Sequence, residues 1–114
     1  MMNSSLYSIL PEIQDALRYG RPVLALESTI IAHGMPYPQN VAFAREADRL
    51  VRSVGVIPAT IAIISGKICV GLDNEQLEHI ASDKNIYKVA VRDLSHNVSN
   101  GFSGATTVSA TMRV

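Results

Sequence analysis

Tryptophan, a second cysteine and an excess of either charge are all missing from this sequence of 114 residues. The single cysteine, Cys69, excludes a disulfide framework and predicts a reducing compartment. Ten basic residues balance ten acidic ones, which argues against a nucleic-acid or anionic-membrane partner because both need a basic patch. No apolar run reaches the roughly 18 residues of a membrane span, and the amino-terminal segment lacks the blocks of a secretory signal. We therefore expect a cytoplasmic protein with neither a membrane nor a nucleic acid as partner.

Common motifs for nucleotides, metals and activated serines are absent as well. The chain contains no P-loop, no G-x-G-x-x-G and no G-x-S-x-G. His33, His79 and His96 have neither metal-ligand spacing nor a cysteine partner. Cys69 lies inside an apolar run, which favours a core position over a nucleophile. The residues by themselves therefore predict no metal site.

The residues that are present suit one folded domain. Apolar residues make up 47% of the chain and charged residues 18%, which is enough for a core. Residues 1–10 are polar and are predicted to be a flexible lead-in to a domain over 11–114. Apolar spacing predicts strands at 22–27, 58–64, 68–70 and 86–91, and helices at 11–20, 39–54, 74–82 and 93–98. The strand at 68–70 is expected to pair back onto 58–64 as a hairpin, and Asp73 is expected to cap the helix at 74–82. Residues 28–38 are expected to form a loop, and residues 105–112 fit either a strand or a helix.

The alternation of strands and helices predicts an α/β domain with a parallel or mixed sheet. Such a sheet needs helices on both faces, and the helix at 39–54 is expected to turn one apolar stripe inward. The members of that stripe are Val41, Ala44, Ala47 or Asp48, Leu50, Val51 and Val54. Because about three helices are few for two layers and the last segment is apolar, we expect the amino-terminal part of a larger domain. A complete small α/β module is the alternative.

Glu27 is the first candidate for chemistry. It closes an apolar strand, at the end of the sheet where open α/β folds place their ligands. Burial there would raise its pKa and let the carboxyl donate a proton near neutral pH. The alternative interpretation is a carboxylate that binds backbone amides of the following loop. Ser28 and Thr29 come next, and their hydroxyls either line the same pocket or cap turns.

Lys88 and the segment 104–108 are the other two candidates. Lys88 is either an exposed edge residue or a desolvated amine that holds a phosphate or forms an imine with a carbonyl. The segment Gly104-Ala-Thr-Thr-Val108 places small residues and hydroxyls before a helix start, where free N–H groups can bind an anion. Most segments of this kind bind nothing.

Several segments together resemble one family. Residues 22–40, Pro-Val-Leu-Ala-Leu-Glu-Ser-Thr-Ile-Ile-Ala-His-Gly-Met-Pro-Tyr-Pro-Gln-Asn, are similar to the hallmark of the pseudouridine-5'-phosphate glycosidases, also called the indigoidine-synthase-A-like family. Further blocks match in the family's order, at 58–64, 70–72, 92–94 with Lys88, and 104–108. The resemblance runs from about residue 11 to residue 112.

This resemblance implies a three-layer α/β/α fold with a mixed, mostly parallel sheet, present here as its amino-terminal part and assembled as a homotrimer. It implies reversible cleavage of the C–C glycosidic bond of pseudouridine 5'-phosphate to uracil and ribose 5-phosphate, with a divalent metal such as Mn²⁺. By position, Glu27 matches the proton donor. Lys88, Thr107 and Val108 match substrate contacts.

The chain departs from the family in its extent, because it covers only about the first third of a family member. The imine-forming lysine and the metal-holding aspartate of the family lie beyond position 114. We therefore expect little or no turnover from these residues alone. The alternative function is a non-catalytic sugar-phosphate-binding or assembly module derived from the same fold. A carbohydrate-kinase or nucleotide-binding domain is a third interpretation, which no glycine-rich phosphate loop supports.

Overall fold

The computed structural model describes residues 6–114. The elements in chain order are β1 (Tyr7–Ile9), α1 (Pro11–Arg18), β2 (Val23–Leu26), α2 (Thr29–His33), α3 (Gln39–Ser53), β3 (Ile57–Ile64), β4 (Lys67–Val70), α4 (Asn74–Ser82), β5 (Tyr87–Val89), a 3₁₀ turn (Val91–Asp93), α5 (Leu94–Ser99), β6 (Gly104–Thr106) and α6 (Val108–Arg113). Among these residues no helix is long and apolar enough to cross a bilayer.

The sheet is built around β3, its longest strand. β4 pairs antiparallel with one edge of β3, which confirms the predicted hairpin. The other edge is shared, because β2 pairs in parallel with residues 57–60 while β6 pairs antiparallel with residues 62–63. β1 lies parallel to β4, and β5 lies parallel to β6. Within residues 6–114 the sheet is therefore mixed and mostly parallel, as expected.

Helices cover both faces of this sheet. One face packs on α2, α3 and α4 through a core of Ile31, Val41, Ala62, Ile80, Ala81, Ile86 and Ala105. The other face carries Ile63, Ile68 and Val89, against which Leu94, Val98 and Val114 pack. α1 contacts β2 and β3 with its buried residues Ile13 and Ala16. The expected three layers are confirmed.

The flexible lead-in predicted over residues 1–10 does not hold for Tyr7–Ile9. These residues form β1, in parallel register with Ile68–Val70. Residues 1–5 lie outside the described part of the chain. Three residues are too few to show a strand period, and β1 exists because β4 offers an edge for backbone pairing.

The predicted loop at 28–38 contains a short helix, α2. Its first N–H groups bind the side chain of Glu27, which provides the acceptor that a capping residue normally supplies. Gly34 follows the last helical residue, and a Cβ there would lie 2.7 Å from the carbonyl oxygen of Ile30. The Tyr37–Pro38 peptide bond further along is cis.

Two other expectations are refined by the structure. Residues 105–112 contain both alternatives, since β6 ends at Thr106 and α6 begins at Val108. In α3, Val41 is buried as predicted, but Leu50 is 53% exposed, and Val54, which directly follows the helix, is 75% exposed. Val51 is half-buried, so the outer half of the predicted stripe is covered only in part by residues 6–114.

A buried asparagine connects three helices on one face of the sheet. Asn40 is 1% exposed, and its Nδ2 donates to the carbonyl oxygens of Ile31 at 2.8 Å and Ala81 at 2.9 Å. Its Oδ1 accepts from the N–H of Val41 at 2.9 Å. The side chain thus holds α2, α3 and α4 together with all of its polar atoms satisfied.

Charged side chains connect α1 to α3 at the surface. Arg52 donates to both carboxylate oxygens of Glu12, at 2.7 and 2.8 Å, and to Asp48 at 2.7 Å. The hydrogen bond from Arg52 lowers the pKa of Glu12 below its usual 4.5. Because both partners are about two-fifths exposed, solvent screens much of the interaction.

We expect Glu12→Gln to lower the free energy of unfolding by less than about 1 kcal/mol at neutral pH. Since the folded-state pKa of Glu12 is lowered, the contribution is present above the usual 4.5 and is lost as the pH falls through the lowered value. Urea denaturation at pH 7 and pH 3 measures this. The difference between wild type and variant should be larger at pH 7 than at pH 3, and an equal difference at both values would contradict the ion-pair explanation.

Candidate functional site

Two strand ends meet at one point on the edge of β3. Because β2 runs parallel to β3 and β6 antiparallel, their carboxyl ends approach each other opposite Ile61. The hydroxyls of Ser28 and Thr106 both donate to the Ile61 carbonyl oxygen, at 2.6 and 2.7 Å. The Thr106 N–H donates to Ser28 Oγ at 2.8 Å, and the Ser28 N–H donates to the Thr106 carbonyl oxygen at 3.0 Å. This joint holds the segments after β2 and β6 side by side, as at the switch points where α/β sheets bind ligands.

Glu27 precedes the joint and faces the start of α2. Its two carboxylate oxygens accept from the N–H groups of Thr29 at 3.1 Å and Ile30 at 3.4 Å. The residue is half-buried. The amide-binding role that we considered for Glu27 is therefore present in the structure, and it fixes the position of the carboxyl group without burying it fully.

Glu27 also forms part of the walls of two cavities, one on each side of β2. The cavity of about 290 Å³ lies between Glu27 and the α6 residues Val108 and Met112. The cavity of about 220 Å³ lies between Glu27, Ile30 and Phe43 on the side of α2 and α3. The structure thus brings two of the predicted site residues, Glu27 and Val108, to one cavity.

Thr107 lies between the joint and that cavity. It is the N-cap of α6, where its Oγ1 accepts from the Ala110 N–H at 3.4 Å and lies 3.0 Å from Ser109 Oγ. Its own N–H donates to the Val89 carbonyl oxygen at 3.0 Å. Thr107 is therefore fixed by the strand beside it, while Val108 is 62% exposed.

Lys88 lies on β5, in register with Ala105. It is exposed, and it is absent from the walls of both cavities that contain Glu27. The sequence left open whether Lys88 is an exposed edge residue or a desolvated amine. Within residues 6–114 it is an exposed edge residue. Lys88 is two residues along the sheet from Thr107, because Val89 pairs with Thr106.

The remaining candidates are not gathered into a site. Cys69 is 2% exposed, and burial raises the pKa of its thiol, which confirms the predicted core position. Among residues 6–114 there is no group of three or more His, Cys, Asp or Glu side chains that could hold an ion.

The sequence drew attention to Ser28 and to the segment that contains Thr106, but it did not predict that their hydroxyls meet at the Ile61 carbonyl oxygen. Ser28 and Thr106 are fully buried, so Ser28 does not line the pocket. The Thr111 hydroxyl donates to Thr106 Oγ1 at 2.9 Å, because the Thr106 proton is directed to Ile61. Thr29 Oγ1 is also buried, without a hydrogen-bond partner among the described residues. The only available signal was that Ser28 and Thr106 each stand at the end of an apolar strand.

Comparisons with known proteins agree on one family. Residues 12–114 match the family described as indigoidine synthase A like protein. A pseudouridine-5'-phosphate glycosidase of Deinococcus radiodurans is 53% identical over 98% of this chain and 37% of its own length, and one of Arabidopsis thaliana is 54% identical over 95% and 33%. The chain therefore spans about a third of the length of these curated relatives.

Solved structures show the same partial coverage. A prealnumycin C-glycosynthase in complex with ribulose 5-phosphate has a TM-score of 0.85 and 38% identity over 97% of this chain and 35% of its own. An indigoidine synthase A-like protein of Thermotoga maritima has a TM-score of 0.80 and 30% identity over 99% of this chain and 37% of its own. By sequence and by fold, this chain belongs to the indigoidine synthase A-like family.

Proposed function

We propose that this chain carries one part of the active site of a pseudouridine-5'-phosphate glycosidase. The reaction is the reversible cleavage of the C–C glycosidic bond of pseudouridine 5'-phosphate by one water molecule, which gives uracil and ribose 5-phosphate, and we place it in the cytoplasm. The observation that supports it best is the meeting of Glu27 and Val108 at one cavity, in a chain more than half identical to glycosidases of that name. The ribulose 5-phosphate bound by the C-glycosynthase also supports a sugar phosphate as ligand.

Glu27 is the residue proposed to move a proton. When the C–C bond breaks, its electron pair stays on the ring carbon of uracil, and a positioned acid is needed to deliver the proton that this carbon takes up. The N–H groups of Thr29 and Ile30 hold the carboxyl between the two cavities. A fixed position is what general acid catalysis requires, since the proton must be delivered at hydrogen-bond distance.

The other proposed contacts are with the sugar phosphate. Lys88 brings a positive charge to the strand beside β6, and Thr107 brings a hydroxyl at the start of α6. A lysine serves phosphate as a mobile point charge, so its exposure is compatible with capture of a ligand from solvent. Val108 provides an apolar wall of the cavity beside Glu27.

The manganese ion and the homotrimer stay proposals by resemblance. The described residues do not fit a metal site of their own, since they hold no group of three acidic, histidine or cysteine ligands. No step of the reaction is therefore assigned to a metal on this chain.

A non-catalytic sugar-phosphate-binding or assembly module is the second candidate function. It is favoured by the exposure of Met112, which lines the cavity beside Glu27, and by that of Leu50 and Val54, which leaves apolar surface open at the far end of α3. This second function predicts that the 114 residues bind a partner or a sugar phosphate. It also predicts that they release no uracil, either alone or as part of a longer protein.

A chimera separates the two candidates. In it, these 114 residues replace the corresponding third of the Deinococcus radiodurans glycosidase. We expect the chimera to release uracil from pseudouridine 5'-phosphate, detected by chromatography, and the 114-residue chain alone to release little or none. A chimera that folds and binds ribose 5-phosphate but releases no uracil would support the non-catalytic module.

A further inference from the structure

β2 is an outer strand with one edge uncovered. Val23–Leu26 pair with β3, and within residues 6–114 no strand pairs with the opposite edge. The Pro22 carbonyl accepts from Ile57 and the Ser28 N–H donates to Thr106, so even-numbered residues direct their backbone groups toward β3 and β6. The N–H and C=O groups of Val23 and Ala25 therefore point to the uncovered edge.

This edge is protected neither by charge nor by a proline within the strand, as the edge strands of natural sheets often are. Val23-Leu-Ala-Leu26 contains no charge and no proline, and it is apolar on both faces. Such composition is typical of strands in the interior of a parallel sheet. β5, the outer strand beside β6, has the exposed charge of Lys88 instead. The residues of β2 thus suit a strand with a neighbour on each side.

Apolar side chains extend this surface above and below the edge. On the side of α3, Phe43 is 40% exposed and lines a cavity of about 220 Å³ with Leu26. Leu50 and Val54 continue the same helical stripe and are more exposed still. On the other side, Leu17 of α1 lines a cavity of about 240 Å³ with Ala25, and Met112 of α6 is 81% exposed.

The geometry points to one occupant for this surface. We propose that the uncovered edge of β2, with the apolar side chains of α1, α3 and α6 beside it, is where the remaining two thirds of the family domain docks by adding a strand to β2. The proposal rests on family membership and not on the proposed reaction.

Two observations favour this occupant. This chain matches about a third of the length of the relatives and solved neighbours, and the other two thirds of each of them lie outside the match. A partner that covers both faces of a strand edge must itself bring a strand with apolar layers on each side, which a continuing α/β domain supplies. A single docked helix would cover one face and leave the N–H groups of Val23 and Ala25 unpaired.

Docking at this edge would also close the candidate site. Glu27 follows β2 directly, and its two cavities lie on the two faces beside the uncovered edge. A strand added to β2 would bring residues of the remaining two thirds next to the carboxyl group of Glu27.

Hydrogen exchange of single amides tests the proposal. In the 114-residue chain alone, we expect Val23 and Ala25 to exchange fast and Leu24 and Leu26 to exchange slowly. In the chimera, Val23 and Ala25 should slow by on the order of a hundredfold or more, because their N–H groups become hydrogen-bonded. Fast exchange of both amides in the folded chimera would overturn the proposal. So would slow, concentration-dependent exchange in the chain alone that the chimera does not show, since that would indicate a second copy at the edge.

A pair of proline variants provides the second measurement. Ala25→Pro removes an N–H that points away from β3, so the chain alone should keep its melting temperature within about 2 °C. In the chimera the same change should lower it by about 5 °C or more, because a strand hydrogen bond is lost. Leu24→Pro is the matched control and should destabilise both proteins, since it removes a bond to β3. Equal effects of Ala25→Pro in both proteins would contradict the proposal.

The experiments distinguish a failure of the proposed docking surface from a failure of the proposed reaction. An inactive chimera with protected Val23 and Ala25 amides would refute the proposed reaction and leave the docking surface intact. A chimera that fails to fold, although the parent glycosidase folds, would overturn the docking surface because these residues would not then fit the remaining two thirds.

Discussion

Glu27→Gln in the chimera is expected to lower the rate of uracil release by about 10² to 10⁴-fold, the usual contribution of a positioned general acid. The substitution removes the exchangeable proton of the carboxyl group. It keeps one side-chain oxygen, which can still accept from the N–H of Thr29 or Ile30. The start of α2 should therefore persist, and the loss should fall on the chemical step.

Two comparison variants make this result specific. Glu46→Gln is the matched control, because Glu46 is an exposed carboxylate on α3 that pairs with Arg49; its rate should be unchanged. Glu27→Ala removes the acceptor as well and should lower both the rate and the melting temperature. A Glu27→Gln chimera with full activity, beside a Glu27→Ala chimera that only melts earlier, would show that the residue is a helix cap and no more.

Asn40→Ala is expected to destabilise the 114-residue chain by about 2 to 4 kcal/mol. The side chain is 1% exposed, and its loss leaves the carbonyls of Ile31 and Ala81 without their donor in a buried position. Each unsatisfied buried group costs about 1 to 3 kcal/mol. Domains of this kind have about 5 to 15 kcal/mol of stability in total, so the change is a large part of it.

Urea denaturation followed by circular dichroism measures this loss as a lower midpoint at an unchanged slope. Asn85→Ala is the control, because Asn85 is an exposed asparagine near the end of α4 and should change stability by less than about 0.5 kcal/mol. Asn40→Asp has nearly the same shape without the two donors and should be destabilised as well. A midpoint for Asn40→Ala equal to that of Asn85→Ala would contradict the role assigned to this side chain.

The family's hallmark segment has two physical functions in this structure. Its first part ends β2 and presents Glu27 to the N–H groups of α2. Its last residue, Asn40, ties α2 to α3 and α4. The conformation that positions the candidate acid therefore depends on a buried polar side chain 13 residues away in sequence. For this reason the two predictions are best measured on the same set of variants.

Much of the local structure was determined by the sequence alone. The apolar runs of β2 and β3, the hairpin of β3 and β4 and the cap of α4 were all predicted from residue types. Asp73 does cap α4, with its side chain bound to the Gln76 N–H. These features depend on residues close in the chain, whose conformational preferences act before any distant contact forms. The position of Glu27 at the end of a strand followed from the same local pattern.

Only the tertiary structure decided how distant segments meet. β1 forms because β4 lies beside it, and β2 and β6 share an edge of β3 because Ser28 and Thr106 both bind Ile61. Strand order and direction depend on pairings between residues far apart in the chain, which no local pattern encodes. The exposure of Leu50 and Val54 is of the same kind, since their apolar spacing predicted burial and only the packing of α3 shows which part of that stripe is left uncovered.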